Sequence, residues 1–93
     1  IMRIANTKAK DVIRKRLPFK GTNFFGESYP NGYVVYSYGY HFPLFVYVNK
    51  ACQWYGNSEK YSSTTSKHKT QCGVYDYAEG STEWLQEIIK SLS

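Results

Sequence analysis

The chain has 93 residues, 42% of them hydrophobic and 18% aromatic, and a formal net charge of +5. That fits a single domain over residues 1–93 and argues against a disordered chain or two domains. Two cysteines, no apolar run longer than "FPLFVYV" at 42–48, and no apolar stretch behind "IMRIANTKAK" argue in turn against a disulfide framework, a transmembrane helix and a secretory signal, so reduced thiols and a cytoplasmic location are expected.

"NTKAKDVIRKRL" at 6–17 reads as the first helix. Ala5, Ala9, Val12, Ile13 and Leu17 form a narrow apolar stripe, and Asn6 or Thr7 is placed to cap. Pro18 ends it, because the residue before a proline is pushed out of the α region. "PFKGTNFFGESYPNG" at 18–32 reads as a loop. Gly21, Gly26, Pro30 and Gly32 interrupt regular structure, and Phe19, Phe24 and Phe25 would anchor the segment.

"YVVYSYGYHFPLFVYV" at 33–48 is the β-rich centre. Alternation sends Val34, Tyr36 and Tyr38 one way and Tyr33, Val35 and Ser37 the other. Gly39 is expected to supply a positive φ at the turn, and Pro43 to start the return strand. Leu44, Val46 and Val48 then oppose Phe45 and Tyr47. "CQWYGN" at 52–57 reads as a third strand. "KYSSTTSKHKTQ" at 60–71 reads as a polar turn or short helix, capped by Ser63 or Thr64 and stopped at Gly73.

"STEWLQEIIKSL" at 81–92 is the most secure helix. Ser81 caps it, Glu83 and Glu87 sit early, Lys90 sits late, and Trp84, Leu85, Ile88, Ile89 and Leu92 make one apolar face. The expected fold is α+β: a small three-stranded antiparallel sheet with the N-terminal and C-terminal helices packed on one face.

Charge is unevenly spread. Residues 1–20 hold seven cations against Asp11, and residues 50–69 hold four against Glu59. Residues 76–93 hold four carboxylates against Lys90. Two readings follow: the basic parts bind a polyanion, or the acidic last helix neutralises the basic first one.

Catalysis lacks a residue set. A Cys/His pair would need Cys52 or Cys72 beside His41 or His68, with no orienting carboxylate or glycine motif to complete it. "GTNFFG" at 21–26 has neither the lysine nor the preceding strand of a phosphate loop. Of four potential zinc ligands, His68 and Cys72 alone have suitable spacing. No enzyme activity, cofactor or metal is therefore expected.

Nucleic acid has more support. Cations neutralise phosphate, hydroxyls donate to it, and aromatic rings stack on bases. The candidate residues are Lys60, Tyr61, Ser62, Thr64, Thr65, Ser66, Lys67, His68 and Lys69 in the polar block, with Lys10 and Arg14 on the first helix. Tyr36, Tyr38 and His41 are candidate base contacts, with Tyr47 a further member of a stacking face. The competing reading of the block is structural: Ser and Thr bond locally, and Thr65 and His68 would then be buried and internally bonded.

"YVVYSYGYHFPLFVY" followed by "YGNSEKYSSTTSKHKTQ" resembles a small domain of bacteriophage and plasmid proteins of unassigned function. The likeness lies in a "VYSY…HFP" strand pair and an "NxxKYSxTTSKH" block, here Asn57, Lys60, Tyr61, Ser62, Thr64, Thr65, Ser66, Lys67 and His68, with "PFKGTNFFGE" as a lead-in. It implies an accessory protein acting inside a host bacterial cell and no particular reaction. The expectation is non-catalytic binding of DNA or RNA. The alternative is an effector that inhibits a host or defence protein through Phe24, Phe25 and Tyr40. No membrane partner is expected.

Overall fold

The computed structural model describes residues 2–59 and 63–93. Its centre is one seven-stranded sheet in the order β1 to β7. The strands are β1 (Met2–Arg3), β2 (Phe19–Gly21), β3 (Phe24–Tyr29), β4 (Gly32–Ser37), β5 (Pro43–Val48), β6 (Gln53–Asn57) and β7 (Ala78–Gly80). The helices are α1 (Ala9–Arg14), entered through a 3-10 turn at Asn6–Lys8, α2 (Ser63–Gln71) and α3 (Thr82–Lys90).

The three-stranded expectation is wrong, and local sequence explains why. The stretch read as an anchored loop is a hairpin, with β2 and β3 antiparallel and Gly21 opposite Phe24. Asn23 takes the left-handed conformation at φ 55, so a two-residue Thr22–Asn23 turn suffices. Phe19 and Phe24 point into the core with their rings edge to face at 5.3 Å. β1 and β7 are only two and three residues long, too short to show alternation.

β1 pairs with β2, and β6 with β7, in parallel; the strands between form an antiparallel meander. Parallel neighbours need a crossover, and α1 and α2 supply the two crossovers. Both start from strands that run the same way and step the same way across the sheet. A shared handedness therefore puts α1 and α2 on the same face.

The cores confirm that placement. Ala9, Ile13 and Cys72 pack with Phe19, Phe24, Tyr33, Val35 and Phe45 on the α1/α2 face. Leu85, Ile89 and Leu92 of the α3 segment pack with Val34, Tyr36 and Val46 on the other. The expectation that the first and last helices share a face is thus corrected: the sheet separates them. A chain continuing after β7 without a further parallel strand is free to return over the opposite face.

β4, central and covered on both sides, is buried throughout. Its alternation falls as expected, with Tyr33, Val35 and Ser37 toward α1/α2 and Val34 and Tyr36 toward α3. Opposite it, Val35 pairs with Phe45 but Tyr36 with Pro43. Leu44 is the extra residue of a bulge, so it joins Phe45 on the α1/α2 face instead of opposing it.

Turn chemistry also departs from expectation. The positive φ between β4 and β5 belongs to Tyr38, at 69°, not to Gly39. The Tyr38 N–H donates to Asn23 O at 2.9 Å, which ties this turn to the β2–β3 turn. Asn6 does not cap with its side chain. Its amide clasps Thr22 instead, accepting from the Thr22 N–H at 2.8 Å and donating to its carbonyl. At α3 the Ser81 hydroxyl accepts from the Trp84 N–H at 3.1 Å, as the sequence expects.

Candidate functional site

α1 stops before Pro18 acts. Leu17 N–H donates to Val12 O at 3.1 Å and Arg16 N–H to Ile13 O at 2.9 Å, the paired bonds of a Schellman C-terminus. The residue that must then be left-handed is Arg16, at φ 54. Glycine normally fills that position, because a Cβ there crowds the following carbonyl. The strained backbone aims the side chain back over the sheet, where the guanidinium sits 4.4 Å from the centre of the Tyr47 ring.

α2 ends on Gly73, at φ 68. A Cβ there would approach the Lys10 Cβ at 2.9 Å, so glycine is required both for its conformation and for the close approach of α1. This contact brings Lys10, Arg14 and Arg16 around a cleft of about 250 Å³ that also holds Trp54, Tyr75 and Asp76. Trp54 is fixed there by edge contacts with Tyr33, Phe45 and Tyr47.

The exposed cations of this layer are Lys8, Lys10, Arg14, Lys15, Arg16 and, on α2, Lys67. Among the described residues, the two ion pairs are Lys69–Glu79 at 3.6 Å and Lys90–Glu87 at 3.1 Å. Neither uses a cation of α1. Glu83 and Glu87 ride on α3, across the sheet.

The polar block divides. Lys60, Tyr61 and Ser62 lie outside the described residues, while Thr64, Ser66 and Lys67 are exposed on α2. Thr65 and His68 face inward and are 2% and 3% exposed. Ser37 Oγ, fully buried, lies 2.9 Å from His68 Nδ1 and 3.2 Å from Thr65 Oγ1. The imidazole stacks on Phe24 at 4.9 Å. Burial, and after it the charge of Lys67, holds His68 below its usual value, so it is the neutral ring that packs here. This serine–histidine pair went unrecognised in the sequence because its members are 31 positions apart on different elements. Enclosure makes it a polar strut between sheet and helix, closed to a substrate.

Lys69 extends back over the sheet edge. Its ammonium donates to Asn57 O at 2.7 Å, pairs with Glu79, and lies 5.2 Å from the Tyr77 ring. Asn57, also fully buried, donates to Pro43 O at 2.8 Å and to the Thr82 hydroxyl at 2.9 Å. Through it the β6 end is tied to both β5 and the start of α3. Beside Lys69 opens a second cleft, of about 380 Å³, whose lining includes Ser66, Thr70, Tyr77 and Glu79.

The expected stacking face does not assemble. Tyr36 is buried on the α3 side, where its hydroxyl lies 2.6 Å from that of Tyr29. Tyr47 is on the α1 side under Arg16, and Tyr38 leans toward His68 at 5.9 Å. His41 is exposed in the β4–β5 turn. Burial takes Tyr36, Thr65 and His68 out of reach of a surface ligand. It does the same to Phe24, one of three anchors of the expected protein-binding patch; Phe25 is half-buried and Tyr40 is 60% exposed.

Tyr75, which the sequence reading passed over, is the most exposed large hydrophobic residue among those described, at 87%. It lines both clefts. No described helix is long and apolar enough to cross a membrane. Comparison with protein-family models, curated proteins and solved structures finds no match to this chain.

Proposed function

We propose that the protein binds nucleic acid, without catalysing a reaction on it, through the basic layer formed by α1 and α2. The observation that carries this reading is the gathering of the α1 cations and Lys67 over one face of the sheet. The α1 cations have no carboxylate partners among the described residues, and the acidic helix lies on the far side. Neutralisation of one helix by the other therefore has no contact to act through.

Lys8, Lys10, Arg14, Lys15, Arg16 and Lys67 meet phosphate, while the hydroxyls of Thr64 and Ser66 extend the same layer. Binding of this kind releases counterions, so affinity falls linearly with salt on a logarithmic scale. Fluorescence anisotropy of labelled DNA and RNA across a salt series tests it. Each phosphate contact adds roughly 0.7 to 0.9 to the slope, so Lys10→Glu/Arg14→Glu should flatten it by roughly 1.4 or more and weaken binding to every sequence alike. Glu83→Lys/Glu87→Lys, on α3, should leave the slope unchanged. A charge reversal on α3 that matters as much as one on α1 contradicts the assignment of the face.

A further inference from the structure

The two clefts meet at Tyr75 but differ in charge. The smaller holds Lys10, Arg14 and Arg16 against Asp76. In the larger, Lys69 is already matched by Glu79 and held by Asn57 O, Glu59 adds a second carboxylate, and Tyr77 and Val74 contribute apolar wall. One side of Tyr75 attracts an anion. The other, with Glu59 and Glu79 against Lys69, repels phosphate, is part aromatic, and has a volume within the usual range for small-ligand pockets.

A nucleotide has the same division: a charged phosphate and a flat, uncharged base. We infer that the ligand is a single strand, with one base stacked against Tyr75 and seated on the side of the larger cleft, and its flanking phosphate held by Lys10, Arg14 and Arg16. Bases of a duplex are paired inward and cannot take that place, whereas an unpaired strand presents every base as a stacking face. Tyr75 projects from the segment between α2 and β7 and is nearly all in solvent. It contributes little to the core, so its exposure is available to a ligand. Trp54, pinned by three rings, gives the basic cleft a rigid wall.

This inference rests on the nucleic-acid reading above, and the test separates the two. The probes are an oligothymidylate and an oligouridylate of about twelve nucleotides, a duplex of the same length, and inorganic polyphosphate, each titrated at one fixed salt concentration. Loss of one stacked base corresponds to roughly a 5- to 150-fold loss of affinity. Tyr75→Ala should therefore weaken both single strands by about fivefold or more, and leave the duplex and polyphosphate within twofold. Tyr75→Phe, which keeps the ring, should restore single-strand binding.

If all four probes bind alike and Tyr75→Ala changes none of them, the single-strand inference is overturned while polyanion binding by α1 stands. If no probe binds at low salt, both readings fall. Because Tyr75 is exposed, loss of folding is not expected in either variant, and circular dichroism of both checks it.

Discussion

His68 shows how one residue can be legible in type and misleading in place. Its neighbours in sequence, three lysines and a run of hydroxyls, suggest an anion site. Its neighbours in space are Ser37, Thr65, Phe24 and Tyr38, from the sheet, the inner side of α2 and the β4–β5 turn. Spacing contains the reason: Thr65 and His68 are three apart on a helix and so share a face, and that face turned inward. Helical spacing cannot say which face of a polar helix is buried when none of its side chains is large and apolar.

The buried ring makes stability depend on pH. The folded pKa lies below the ordinary 6.5, with burial the larger cause and Lys67 the smaller. The unfolded chain therefore takes up a proton that the folded chain resists. The contribution of this residue is full above about pH 6.5 and declines as pH falls below that value. Urea midpoints taken from about pH 7.5 to about pH 5.5 should fall on the acid side. His68→Gln, which keeps a polar group near Ser37, should flatten that decline; an equal decline in the variant contradicts the role given to His68.

Among the elements, the two crossover helices carry the account. The alternation in "YVVYS" and the apolar face of "EWLQEIIKSL" were readable because period and residue type agree. β1, β2, β3 and β7 were not, because their pairing is set by partners rather than by pattern. Counting three strands left no parallel pair, so nothing required a crossover, and the first and last helices were free to share a face. With β1 and β7 present, handedness decides the matter and gathers the basic segments together.

The end of α1 tests whether its strained geometry serves binding. At Arg16, glycine would relieve roughly 1 kcal/mol of left-handed strain but forfeit about 0.5–1 kcal/mol of contact between the guanidinium and the Tyr47 ring. Arg16→Gly should therefore unfold within about 1 kcal/mol of the parent in urea, while its affinity for an oligonucleotide falls several-fold. Weakened stability with unchanged affinity would make Arg16 a structural residue, and the basic cleft would lose a member.

For the whole molecule, the sheet works as a partition. A net charge of +5 spread evenly would give weak and diffuse attraction; here the α1 cations and Lys67 gather over one face of the sheet, while on the other Arg3, Lys20 and Lys90 are matched by Glu27, Glu83 and Glu87. That arrangement orients the protein on a polyanion as well as attracting it. The most direct test is a backbone amide NMR titration with a short single-stranded oligonucleotide at low salt. Shifts should concentrate in residues 8–16, in the exposed positions of α2 and in residues 73–76, while α3 stays unmoved. Shifts centred on α3 or on the Phe25–Tyr40 side of the sheet, or none at saturating oligonucleotide, would contradict the basic α1/α2 layer as the binding face.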